Sequence, residues 1–133
     1  MSGSIPQRLL DTDIMIDLQR RHPPALQWFR TVRPGEVGIC GLVAMELVQD
    51  ARNATEARAA DVLIGPLAIV WPSEVACQAA MADFRNLHLS HGLGLIDSLI
   101  ASTARASGAM LCTFNRKHFA AVPNLICQQP YIR

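Results

Sequence analysis

Short apolar runs alternate along this chain with longer stretches of helical periodicity. Arg8-Leu9-Leu10 predicts a first strand, with a helix directly behind it over 14–20. Pro23-Pro24 opens a second helix carrying Leu26, Trp28, Phe29 and Val32, and Pro34-Gly35 stops it, since proline suits a helix's first turn and not its interior. Val37-Gly38-Ile39-Cys40 predicts a second strand, and helices follow over 42–52 and 54–64. Gly65-Pro66 breaks the pattern, and Leu67-Ala68-Ile69-Val70-Trp71 is apolar throughout, as a parallel strand covered on both faces would be. Ser73 is placed to cap a helix running to about 89, and 90–94 reads as a loop. A helix over 96–107 buries Ile96, Leu99, Ile100 and Thr103. Met110-Leu111-Cys112-Thr113 predicts a fourth strand, and Leu125-Ile126-Cys127 a fifth. Strands alternating with helices in this way predict an α/β domain on a mainly parallel sheet of four or five strands. With no repeat, linker or low-complexity tract, residues 1–133 read as one domain, with 1–6 as a flexible tail.

Composition narrows the function. Of 133 residues, 50% are hydrophobic and 17% charged, against about 25% charged in an ordinary domain, which excludes intrinsic disorder. The stretch from Val62 to Trp71 is far short of the roughly 20 apolar residues a membrane span needs. The first residues form no secretory signal, so a cytoplasmic protein is expected, without a membrane partner. So apolar a chain suggests a surface partly covered by other protein. The net charge of +1 provides no global field for nucleic acid, so any such binding must come from a local patch. Aromatic residues at 5% argue against a stacking platform for single strands. Cys40, Cys77, Cys112 and Cys127 form no C-x-x-C pair and read as small buried hydrophobes. His88 and His91 lack a neighbouring third ligand and read as surface or packing residues, as does His22.

In an open α/β sheet, sites form outside the carboxyl ends of the strands. Asp11-Thr12-Asp13 follows the first strand, the helix carrying Glu46 follows the second, and Thr113-Phe114-Asn115 follows the fourth. Asp11 is equally a helix cap, although Asp13 and Asp17 crowd it with like charge that a cation or a partner would offset. Glu46 shares a helical face with Gln49, Asp50 and Asn53, which by periodicity is a solvated face. Asp97 lies just inside a helix start, where a carboxylate serves the helix dipole or a site equally well. Asn115 is an ordinary turn residue, and Arg116-Lys117-His118 reads as a loop at a strand's carboxyl end, placed to grip a phosphate backbone.

Leu9-Leu10-Asp11-Thr12-Asp13-Ile14-Met15-Ile16 resembles the opening motif of PIN-domain ribonucleases, in particular the VapC-type toxins of type II toxin–antitoxin pairs. Gly41-Leu42-Val43-Ala44-Met45-Glu46-Leu47, the segment from Gly92 to Ala101 around Asp97, and Cys112-Thr113-Phe114-Asn115-Arg116-Lys117-His118-Phe119 resemble the family's three later motifs, in order. The resemblance implies a three-layer α/β/α domain and a metal-dependent endoribonuclease acting as a toxin. Its acidic cluster maps onto Asp11, Glu46 and Asp97, which would hold Mg²⁺ or Mn²⁺. Asp13 and Asn115 are candidate further ligands, Thr12 and Thr113 support them, and Arg116, Lys117 and His118 contact RNA. Asn115 stands where the family often has Asp, which keeps an oxygen ligand but loses a charge, so one firmly held metal is expected and a second comes with substrate. The family further implies a homodimer and a small antitoxin whose helix enters an apolar groove built by the first four helices, including Trp28, Phe29 and Met45. Hard cations take oxygen ligands and keep several waters, so carboxylates suffice. Two alternatives stay open: a PIN-like binding module without strong catalysis, and a D-x-D phosphohydrolase.

Overall fold

A computed structural model describes residues 5–33 and 35–133. Its elements run β1 (Arg8–Leu10), α1 (Thr12–Gln19), α2 (Pro23–Phe29), β2 (Val37–Cys40), α3 (Gly41–Gln49), α4 (Ala54–Ile64), β3 (Ala68–Val70), α5 (Glu74–His91), α6 (Leu95–Ala106), β4 (Met110–Cys112), α7 (Arg116–Phe119) and β5 (Cys127–Gln128). All five strands are parallel, in the order β3-β2-β1-β4-β5, and helices cover both faces in three layers. β1 is central, between Val37–Gly38 of β2 and Met110–Cys112 of β4. Leu9, Leu10, Ile39 and Leu111 are fully buried, as expected of inner parallel strands. Buried Ile14, Met15 and Leu18 seat α1 in the core, and α6 adds Ile100, Ala101 and Ala104.

Two glycines mark close approach. A β-carbon on Gly38 would lie 2.6 Å from the carbonyl oxygen of Ala68 in β3, and one on Gly41 would run into the indole of Trp71. β2 and the start of α3 can therefore sit where they do only without side chains at these positions. Of the expected tail at 1–6, residues 1–4 lie outside the described residues, whereas Pro6 is buried and packs over Gly38.

Several expectations need correction. α2 ends at Phe29, and Arg30 caps it, so Val32 lies beyond the helix. β3 is an edge strand with Ile69 and Trp71 exposed; an unbroken apolar run does not distinguish an inner strand from an edge that keeps an apolar outer face. β5 pairs Leu111 with Cys127, two residues later than the apolar run suggests. Arg116-Lys117-His118 is a helical turn, α7, rather than a loop. Cys40 and Cys112 are buried and all four thiols are free, but Cys77 is exposed. Ser73 caps α5 as expected, its hydroxyl accepting the Ala76 N–H at 3.1 Å, but the helix runs on through Ser90 and His91, which the sequence assigns to a loop, and stops at Gly92. Among the described residues no helix is long and apolar enough to cross a membrane.

Candidate functional site

The order β3-β2-β1-β4-β5 makes the chain run outward on one side of β1 and resume on the other at β4. Such a reversal opens a crevice at the carboxyl ends of the two strands. Both end at the same level, because Leu10 is registered with Cys112 and the Asp11 N–H donates to the Cys112 carbonyl at 2.9 Å. Asp11 and Thr113, 102 residues apart in sequence, thereby become neighbours.

Asp11 is both a cap and part of an acidic cluster. Its extended backbone starts α1, and Oδ1 accepts the Thr12 N–H at 2.8 Å. Oδ2 accepts the hydroxyl of Thr113 at 2.7 Å, and the residue is 4% exposed. Burial, and then the charge of Asp13, push its pKa from 3.8 to about 7, against the Thr113 and Thr12 hydrogen bonds. Asp97 adds a smaller push in the same direction. Asp13 accepts the Ile14 N–H through Oδ1 and the Phe114 N–H through Oδ2, both at 2.8 Å. Burial raises its pKa; those two bonds, and then the charge of Arg133, oppose the rise. The Thr113 hydroxyl, given to Asp11, leaves Asp13 Oδ2 at 3.4 Å and itself accepts the Asn115 N–H at 3.0 Å.

Glu46 leaves the face its periodicity suggests. Gln49, Asp50 and Asn53 are exposed, but Glu46 is half-buried and Oε1 accepts the Thr12 hydroxyl at 2.8 Å. A tertiary bond to a residue 34 positions away overrides the local pattern. Asp97, in the first turn of α6, has its pKa raised by burial, with His118 opposing and Asp13 reinforcing. Asp11, Asp13 and Asp97 thus act on one another's charge, and Glu46 is tied to the first turn of α1 by the Thr12 hydroxyl. Asn115 does not join by its side chain, which is exposed and makes no cap bond; its backbone N–H does the holding. Arg116, Lys117 and His118 are exposed on α7, next to this edge.

Asp17 departs from the acidic crowd that the sequence suggests. Burial opposes its charge, but hydrogen bonds from Arg133 and Tyr131 outweigh it and hold the carboxyl below its usual range. No local sequence signal points to partners 114 and 116 residues away. His88 stacks on Phe84 at 4.6 Å and His91 bonds the Ser90 hydroxyl at 2.7 Å, both in packing or surface roles.

The donor set is all oxygen, crowded with like charge and partly desolvated, which suits a hard divalent cation. Among the described residues, no three His, Cys, Asp or Glu side chains converge tightly enough to enclose an ion. The Thr12 hydroxyl occupies Glu46 and the Thr113 hydroxyl occupies Asp11, so an ion here would be completed by water or by rotation of these side chains.

The chain matches the PIN domain family over residues 8–125. It is similar to a toxin–antitoxin complex from Klebsiella pneumoniae, 26% identical over 95% of this chain and 99% of that one, with a TM-score of 0.76. It is also similar to VapBC2 from Rickettsia felis bound to a DNA fragment from their promoter, 27% identical over 91% and 96% of the two chains, with a TM-score of 0.71. A DNA-bound VapBC from Salmonella typhimurium shares the fold at a TM-score of 0.77 and 21% identity, covering 92% of this chain and 97% of that one. No curated protein matches the chain.

Proposed function

The chain belongs to the PIN-domain family, and from that premise we propose that it is the toxin of a toxin–antitoxin pair, a Mg²⁺- or Mn²⁺-dependent endoribonuclease of the cytoplasm. One observation carries this reading: Asp11, 4% exposed at the β1–β4 reversal, is pushed up to about 7 by burial and then by the charge of Asp13, with Asp97 adding a smaller push. A fold holds such a conflict when a function repays it. The family assignment sets aside the D-x-D phosphohydrolase alternative.

Asp11, Glu46 and Asp97 would hold the cation, with Asp13 as a further oxygen donor and Asn115 at the rim. Positive charge near the phosphodiester and an activated water are the chemistry that a bound cation would supply there. Asp11 would serve as a ligand only in its charged form, since a ligand carboxylate must be charged. Thr113 and Thr12 orient the carboxylates through their hydroxyls, and Arg116, Lys117 and His118 grip the backbone of a single-stranded or looped RNA.

A homodimer and an antitoxin helix account for the exposed apolar residues, among them Met45, Val48, Trp71, Met81 and Leu95. The groove offered to that helix is more polar than the sequence suggests. An open cavity of about 520 Å³ between α1, α3 and α4 is lined by Ile16 and Leu47, but also by Arg20, Asp50, Arg52 and Glu56. Trp28 and Phe29 instead pack together, with Trp28 6.0 Å from Tyr131.

The deciding experiment is cleavage of single-stranded RNA in Mg²⁺ or Mn²⁺ beside an Asp11→Asn protein. The wild type cuts and the variant does not. Equal behaviour of the two rejects catalysis and leaves a binding module.

A further inference from the structure

Asp17 lies one helical turn beyond Asp13 on α1 and is 7% exposed. Its carboxylate accepts both arms of the Arg133 guanidinium, at 2.9 and 3.1 Å, and the Tyr131 hydroxyl at 2.7 Å. The same guanidinium sits 4.5 Å from the centre of the Phe114 ring, and Tyr131 meets that ring edge-on at 5.0 Å. The backbone N–H of Phe114 in turn donates to Asp13 Oδ2. These contacts close a circuit from α1 through Asp13, Phe114, Arg133 and Asp17 back to α1.

We propose that Tyr131 and Arg133, anchored on Asp17, form a clasp that fixes the Thr113–Phe114 turn and so the direction in which Asp13 presents its carboxylate. They are positioning residues, and their bearing on metal binding rests on the reading that Asp13 belongs to the cation site. A two-pronged arginine–carboxylate pair gives direction as well as attraction, and the guanidinium's flat face suits an aromatic ring. α1 does not need the clasp for its seat, because Ile14, Met15 and Leu18 supply that from the core. The clasp therefore acts on the turn, where a small misplacement of a ligand matters most.

The test uses Arg133→Gln, which keeps a polar stem without the charged fork, and the milder Tyr131→Phe. Amide hydrogen exchange is followed in the metal-free protein, and Mn²⁺ affinity by calorimetry. In Arg133→Gln, Phe114 exchanges about tenfold faster while Leu9 and Leu111 are unchanged, as local opening after loss of a charged hydrogen bond requires. Mn²⁺ binding weakens about tenfold, the usual cost of removing the support behind a ligand. Adding Asp17→Asn changes little more, because the ion pair is already gone and the Asn oxygen still accepts the Tyr131 hydroxyl. Unchanged Phe114 exchange overturns the clasp, as does equal acceleration at Leu9 and Leu111. Should Arg133→Gln fail to fold, Tyr131→Phe decides by the same comparison at Phe114. A wild type that binds no Mn²⁺ sinks the metal reading instead, and Phe114 exchange still judges the clasp.

Discussion

Replacing Asp11 by Asn should stabilise the metal-free protein while abolishing cleavage. Burial and the charge of Asp13 push this carboxyl from 3.8 up to about 7, so the native state holds the proton more tightly than the unfolded chain. Stability from this group is therefore complete below about pH 4 and drains away as pH rises towards 7. The shift of about three pH units, at about 1.36 kcal/mol each, makes the charged form cost about 4 kcal/mol above pH 7. Asn keeps the cap bond to the Thr12 N–H, but its amide nitrogen cannot accept the Thr113 hydroxyl, a loss of about 1 kcal/mol. The net gain is about 3 kcal/mol at pH 8, or about 10 °C in Tm for a domain of this size. Urea unfolding in EDTA at pH 5 and pH 8 measures it: the two proteins differ little at pH 5 and clearly at pH 8. Mg²⁺ at a hundred times its Kd returns about 2.7 kcal/mol to the wild type and little to the variant. An Asn protein no more stable than wild type at pH 8, or one whose stability follows pH in parallel with it, refutes the electrostatic account of the crevice.

Four further outcomes follow from the same geometry. Thr113→Val removes a hydrogen bond that lowers the Asp11 pKa, so the acid limb of the cleavage profile moves to higher pH; an unmoved limb separates Asp11 from the rate. EDTA stops cleavage and added Mn²⁺ restores it, whereas activity persisting in EDTA contradicts a metal-dependent site. Exchanging both Arg116 and Lys117 for Ala raises KM with little change in kcat and flattens the salt dependence of binding by about 0.7 per charge, as for single strands. Gly41→Ala drives a methyl into the Trp71 ring and costs about 1–3 kcal/mol in urea unfolding, with no gain at any pH.

The inner strands were legible because burial on both faces leaves an unbroken apolar signature at Leu9-Leu10, Ile39-Cys40 and Leu111-Cys112. The same signature misled at β3, where Ile69 and Trp71 face outward at the sheet's edge. α7 escaped because a four-residue helix offers no period to detect. At the site, Asp11 stands where a helix start follows a strand end, which sequence order reveals, and Asp97 stands just inside a helix start behind a glycine-bearing loop. The inward turn of Glu46 depends on Thr12, and the withdrawal of Asp17 on Tyr131 and Arg133, contacts no local pattern encodes. Asn115 was correctly placed at the strand's end, but its backbone rather than its side chain meets Thr113.

The pairing of β1 with β4 also governs when the crevice can exist. Asp11 emerges from the ribosome with the first strand, but Thr113 follows 102 residues later, a wait of about 5–20 s at ordinary rates of synthesis. Until then the central strand lacks one neighbour and the acid group lacks a wall. A chain cut short before β4 therefore carries Asp11 without the Thr113 hydroxyl and the strand that wall it in, so the crevice exists only in a chain made through β4.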